Sequence, residues 1–173
     1  MADDYFNVAI WTANGSGAVD RAITSTFQPD MIWSKTRSAG YHNNIFDAVR
    51  GFGSNNALVT DQAWSEGTAS GGRIKSVAST SFTWEAGGSS AEWYNQSSNT
   101  YVSWYWKANG AGSSNTAGTI TSTVSANTTS GFSIVTYTGN GTAGATIGHG
   151  LGVAPVMIIV KNRSRAMNWW VVS

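Results

Sequence analysis

"FNVAIWTANG" (Phe6–Gly15) and "FSIVTYTGNG" (Phe132–Gly141) are variants of one phrase, and the relation between them decides the fold. Setting Phe6 on Phe132 fixes an offset of 126 residues (132 − 6). The same offset places Val8 on Ile134, Trp11 on Tyr137, Thr12 on Thr138, Asn14 on Asn140 and Gly15 on Gly141. The chain has only two prolines, Pro29 and Pro155, and they stand at that spacing too. Beyond them Met31 and Ile32 fall on Met157 and Ile158, Lys35 on Lys161, Arg37 on Arg163 and Ser38 on Ser164. A gap-free register of this kind is an internal repeat, and a fixed period is read as architecture before anything else.

The repeat divides the 173 residues into a first β unit over 1–129, which includes a Gly/Ser-rich connection, and a second copy over 130–173. We expect that second copy to be truncated and the chain to be part of a longer repeat protein. Trp169, Trp170, Val171 and Val172 are poor residues for a free end.

Only 11% of residues are charged, against about a quarter in an ordinary globular domain. With a net charge of +1 there is no basic stripe of the kind that marks a nucleic-acid partner. A surface of Ser, Thr, Asn and Gly suits an extended β-rich protein outside cells, and it leaves little charge to hold chains apart. No apolar run approaches the roughly 20 residues needed to cross a bilayer, so membrane insertion is not expected. "MADDYF" carries neither a basic nor an apolar leader region, so a secretory signal is not expected either. The absence of cysteine excludes disulfides and thiolate sites.

The apolar pattern has period two almost throughout, which makes the fold class all-β, a β-sandwich or jelly-roll-like repeat module. "FNVAIWT" and "FSIVTYT" read as strands running into Asn-Gly turn signals. "MIWSKTR" and "VMIIVKNR" read as strands that start after a proline. "NNIFDAV" and "NWWVV" occupy the third equivalent position, and "GRIKSVAST" with "SFTWEA" forms a hairpin. "GTITSTVS" is a weaker strand candidate. "GSNNALVTDQAWSEGTASGG" and "NGAGSSNTAGT" read as loops, the second as a linker. Along "TYVSWYWK" the alternation predicts Val102, Trp104 and Trp106 inward, with Tyr101, Ser103, Tyr105 and Lys107 outward. Phe6, Val8, Phe132 and Ile134 are expected inward as well.

Candidate chemistry is sparse. His42 and His149 stand apart from any ligand spacing, and His149 falls on Ile23 in the repeat, so neither is read as a metal ligand. Asp47 and Arg50 in "FDAVRG" read as an ion pair closing a turn, worth about 0–1 kcal/mol if exposed. Glu85 and Glu92 are a conceivable glycosidase pair, but they flank a Gly-Gly-Ser-Ser turn that enforces no separation. There is no nucleophile elbow, P-loop or dinucleotide fingerprint, so the chain is read as a non-enzyme without metal or cofactor. The stretch best suited to a sugar is "AEWYNQSSNTY": Trp93 and Tyr94 supply flat apolar faces, and Asn95, Gln96 and Asn99 supply amides. Against that stands packing, since most of nine tryptophans in a chain poor in Leu must be core.

Taken in order, Asp4–Asn7, "FQPDMIWSKTRS" (Phe27–Ser38), "FDAVRG" (Phe46–Gly51), "YVSWYWKANG" (Tyr101–Gly110) and Gly131–Val172 resemble the repeat found in tail-fibre and other virion structural proteins of tailed bacteriophages, especially marine ones. The resemblance covers nearly the whole chain. It implies a virion tail component that is assembled in the host cytoplasm, released by lysis and acts in host attachment. Partners so implied are other tail proteins, a host surface glycan and further copies of the chain, since such fibres are commonly homotrimers. A carbohydrate-binding module, a tail depolymerase and a capsid or baseplate decoration protein are the alternatives. Lys35, Lys161, Arg37 and Arg163 are expected to mark a solvated strand end or an inter-repeat contact. Val156, Ile158, Val160, Trp169, Trp170 and Val172 are expected to pack against other subunits or further chain, because so few strands cannot bury both of their faces.

Overall fold

The computed structural model describes residues 4–14, 19–53, 56–67, 72–85, 92–96 and 98–173, without the side chains of Glu92 and Trp93. The first unit contains β1 (Phe6–Thr12), β2 (Arg21–Thr24), β3 (Met31–Thr36), β4 (Asn44–Asp47), β5 (Leu58–Val59), β6 (Ile74–Ala78), β7 (Ser81–Trp84), a short α1 (Glu92–Asn95) and β8 (Thr100–Trp106). β9 (Ser113–Asn115), β10 (Ser122–Asn127), β11 (Phe132–Tyr137), β12 (Ile158–Val160) and β13 (Trp170–Val172) follow. The fold is all-β, consistent with a sandwich.

A five-stranded antiparallel sheet, β1-β8-β3-β4-β5, lies against a three-stranded sheet, β2-β7-β6. Their facing side chains form one core: Trp11, Ile32, Phe46, Val59, Tyr101 and Tyr105 from the first, Ile23, Ile74, Phe82 and Trp84 from the second. This two-layer arrangement lets each sheet bury one face. β6 and β7 form the expected hairpin, with Ala78 opposite Ser81.

β8 turns the other way from its expected orientation. Tyr101 and Ser103 are 0% exposed and Tyr105 2%, while Trp104 and Trp106 are half-buried on the outer face, as is Lys107; of the three β8 residues expected inward, only Val102 is buried, at 8%, and in β11 Ile134 is buried as expected, at 9%. The polar tips explain the choice. Each tyrosine hydroxyl meets a backbone N–H inside the sandwich, Gln96 donating to Tyr101 at 2.9 Å and Thr26 to Tyr105 at 3.3 Å. Ser103 pairs with the equally buried Ser34. A buried ring whose hydroxyl is satisfied keeps its full apolar contribution. β1 follows the same sense: Trp11 is buried, whereas Phe6, Val8 and Ile10 are 38%, 40% and 64% exposed. Trp104→Ala is therefore expected to cost about 1–2 kcal/mol, not the larger loss of a core tryptophan. Urea denaturation checks this, and a loss above about 3 kcal/mol would contradict the outward placement.

The expected loops contain strands of their own. Within 53–72, Ala57, Leu58 and Val59 are buried and β5 pairs with β4. Within 109–119, β9 pairs with β10, so this segment is not a free linker. Gly112 makes that approach possible: its φ is +79° and a Cβ there would lie 2.8 Å from the Val124 carbonyl. β10 and β11 form a hairpin whose turn is held by Asn127, its side-chain oxygen accepting from the N–H groups of Thr129 and Ser130 at 3.1 Å.

The repeat recurs in strand pairing. β3 and β4 pair Ile32 with Phe46, Trp33 with Ile45 and Ser34 with Asn44. β12 and β13 pair Ile158 with Val172, Ile159 with Val171 and Val160 with Trp170. Every one of these pairs is the first set moved by the sequence offset. β1 and β11 are likewise both strands at equivalent positions.

Candidate functional site

The outer face of β1-β8-β3 displays a cluster of aromatic side chains. In register, Phe6, Trp106 and Met31 lie side by side across three strands, as do Val8, Trp104 and Trp33. The Phe6 and Trp106 rings are 4.9 Å apart and those of Trp33 and Trp104 5.8 Å, both tilted. A shallow cleft of about 270 Å³ is lined by Trp33, Lys35, Asn43, Trp104 and Trp106. At its rim the Lys35 ammonium donates to the Asn43 side-chain oxygen at 3.1 Å. Flat indole faces beside an ammonium and an amide can stack on the apolar face of a pyranose and hydrogen-bond its hydroxyls.

The stretch singled out in the sequence for sugar binding is largely internal. Tyr94 is buried, stacked on Trp84 with centroids 3.8 Å apart, and its hydroxyl accepts from the Asn44 amide. Asn95 is buried and spans two segments, accepting from the Asn14 N–H and donating to the Val19 carbonyl at 2.9 Å. These two residues brace the fold and are closed to a ligand. Gln96 and Asn99 are half-buried and bonded to each other at 2.7 Å, Gln96 also accepting from Tyr41 and Asn99 from Ser38. The Trp93 side chain lies outside the described residues. The outward tryptophans were missed because tryptophan was assigned to the core by default. A signal was available: Tyr101, Ser103 and Tyr105 alternate with them and carry hydroxyls that suit a sandwich interior rich in Ser and Thr.

Burial pushes the Tyr94 hydroxyl pKa far above the ordinary value, only partly offset by the Asn44 bond. Burial also raises Tyr101, against the opposing bond from Gln96 N–H. Both shifts favour the neutral form in the folded state. The corresponding stability is intact below the unfolded value of about 10 and falls as pH rises above it. Phenolate absorbance should show Tyr94 titrating only as the protein unfolds. Its ionisation near pH 10 with the fold intact would contradict this.

Other polar groups serve structure. His42 pairs with Asp61 at 2.8 Å and packs on Trp64. Burial tends to raise the Asp61 carboxyl, but the bonds from His42 and the Asn43 N–H outweigh it and leave the carboxyl below its usual value. The His149 ring accepts from the Leu151 N–H at 3.3 Å. Glu85 is held by Arg73, while the side chain of Glu92 lies outside the described residues. The "FDAVRG" ion pair is not a surface pair. The Arg50 side chain is buried, reaching Asp47 at 2.6 Å, Glu66 at 2.7 Å and the carbonyls of Asn56 and Ile45.

The second copy docks on the first through this same carboxylate. Arg163 binds Glu66 at 2.6 Å, and the Glu66 N–H donates to the Arg163 carbonyl at 2.8 Å. Trp169 donates its indole N–H to the Val59 carbonyl at 3.0 Å. Lys161 donates to the Ala63 carbonyl at 3.1 Å and stands 5.9 Å from the Trp169 ring centroid. Burial there holds its pKa below the ordinary value. Lys161 and Trp169 are the repeat equivalents of Lys35 and Asn43, so that contact recurs too. Arg37, by contrast, is exposed. Of the residues expected to meet other chains, Val156, Ile158, Val160, Trp170 and Val172 are exposed.

No curated protein matches the chain, and no solved structure matches it. The model of one family, described as a domain of unknown function (DUF7483), matches residues 1–173. The chain belongs to the DUF7483 family.

Proposed function

We propose that this chain is a structural module of a tailed-bacteriophage virion, a repeat within a tail fibre or tail-associated appendage that serves host attachment. The observation that carries the reading is the recurrence of one hairpin register in both copies, with the second hairpin left apolar and exposed. A unit that repeats its pairing while leaving apolar strands uncovered is built to join others of its kind. The work of such a module is geometric, holding a rigid spacing and presenting a surface to the host. Further copies of the chain and other tail proteins are its partners. Purified particles probed with antibody to this chain, by mass spectrometry and immuno-electron microscopy, test the reading. The expected result is label on the tail. A protein abundant in lysates but missing from particles overturns it.

A second reading, a host-glycan-binding module, is favoured by the outer aromatic cleft. Under it, Trp33→Ala lowers affinity for a bound glycan on an array at least about tenfold, since an aromatic stacking contact contributes on the order of 1.5 kcal/mol. Folding stability should fall by no more than the about 1–2 kcal/mol expected for Trp104→Ala. Equal binding by the variant, or no glycan bound by the parent, removes this reading.

A further inference from the structure

The outer face of the five-stranded sheet is graded along β8. Rows across β1, β8 and β3 follow one another at every second residue, about 7 Å apart. Phe6, Trp106 and Met31 make one row, Val8, Trp104 and Trp33 the next, and Ile10, Val102 and Lys35 the third. Arg37 stands one row further, its N–H donating to the Thr100 carbonyl at 2.7 Å. Thr36 between the two cations is 0% exposed, so Lys35 and Arg37 share the outer face. The face therefore changes from rings at one end to cations at the other. At the ring end Phe132 stacks on Trp106 at 6.0 Å, and a second cleft of about 570 Å³ shares Trp106 with the first. Three row steps, about 20 Å, separate Arg37 from Trp106, which is room for an oligosaccharide and more than a single sugar needs.

The side chains at the cation end offer donors only. The Lys35 ammonium gives one of its hydrogens to the Asn43 side-chain oxygen at 3.1 Å. That bond occupies the acceptor of Asn43 and leaves its NH2 group to donate, while Arg37 adds a guanidinium that accepts nothing. Among the described residues neither cation is paired with a carboxylate. Asp61, the acid beside Asn43, is held by the His42 ring at 2.8 Å and the Asn43 N–H at 3.1 Å. A sugar hydroxyl, which must also donate, finds no side-chain acceptor among these groups. A carboxylate only accepts, and its charge is the complement of theirs. We infer that the outer face of β1-β8-β3 takes an acidic oligosaccharide, a chain of uronic-acid sugars. One carboxylate lies at Lys35, Asn43 and Arg37, and the pyranose faces lie on Trp33, Trp104 and Trp106. This rests on the glycan reading of the aromatic cleft and adds the sign of the ligand's charge and the direction in which it lies. Stacking supplies contact that is indifferent to charge, and the cation end supplies the selection.

The test titrates the full chain with trigalacturonic acid, read by tryptophan fluorescence, beside its methyl ester and neutral cellotriose. The acid should bind saturably and at least about tenfold tighter than either, because hydrogen bonds to an ionised acceptor are the stronger kind. Added salt should weaken it. A protein carrying both Lys35→Met and Arg37→Gln keeps the side-chain stems without their charges. It should bind the acid at least about tenfold more weakly while its urea midpoint stays near the parent's. The inference is overturned by an ester or cellotriose bound as tightly as the acid, by an acid affinity unmoved in the double variant, or by an acid that does not bind. Where neutral glycans bind on an array and the acid shows no preference, the inference falls and the glycan reading stands. Where no glycan of either kind binds, both fall.

Discussion

Replacing Arg50 with alanine should destabilise the protein by about 3–5 kcal/mol, one of the two largest losses expected from a single change in this chain. The guanidinium is buried and serves Asp47, Glu66 and two backbone carbonyls at once. Its removal leaves the buried Asp47 carboxylate without a cation and Glu66 with Arg163 alone. A surface ion pair in the same turn would be worth about 1 kcal/mol or less, so the size of the loss distinguishes the two cases. Urea denaturation followed by tryptophan fluorescence measures it. Arg50→Lys should be intermediate, because a single ammonium cannot replace the fork of donors that reaches several acceptors. An Arg50→Ala protein within about 1 kcal/mol of the parent would show that the network contributes only geometry.

Trp84→Ala is the second large effect, about 3–5 kcal/mol. Trp84 is buried between Tyr94, stacked at 3.8 Å, and Phe46, edge-on at 5.8 Å. Truncation opens a cavity where two sheets and the short helix meet, and the rigid rings around it cannot collapse to fill it. The measurement gains force beside Trp104→Ala. Both are tryptophans on strands, but one lies between the sheets and the other on the outer face. Near-equal losses would mean that the sheet faces have been assigned wrongly.

The strands themselves were legible because alternation and turn residues are local properties. The β6–β7 hairpin could be read from "GRIKSVASTSFTWEA" alone, and the repeat from residue identities at a fixed offset. The facing of β1 and β8 was not legible for a physical reason. β8 carries large rings on both sides, so hydrophobicity does not separate them. The deciding groups are the N–H of Thr26, the N–H of Gln96 and the hydroxyl of Ser34. Two of these three lie far from β8 in sequence, and no local pattern brings them forward. β5 was hidden for a similar reason, as a two-residue strand inside a polar stretch. At the candidate site, Tyr94 and Asn95 looked like ligand-facing residues because a buried amide and an exposed one are spelled alike. The outer tryptophans were visible as letters but not as a surface until β8 was placed between β1 and β3.

Trp169 closes one border of the five-stranded sheet. Thr60 turns its N–H toward Asn43 on the β4 side, at 2.9 Å, so the neighbouring Val59 carbonyl points away from the sheet. The indole of Trp169 occupies that carbonyl, and an indole has no acceptor with which to pass a ladder onward. The β5 border is thereby stoppered at that carbonyl by the chain's own second copy. Without the indole, a two-residue strand at the border of the five-stranded sheet would present a bare carbonyl to any passing strand, the feature that makes sheet edges stick to one another. One tryptophan at the far end of the chain thus guards the edge of a sheet folded from its beginning.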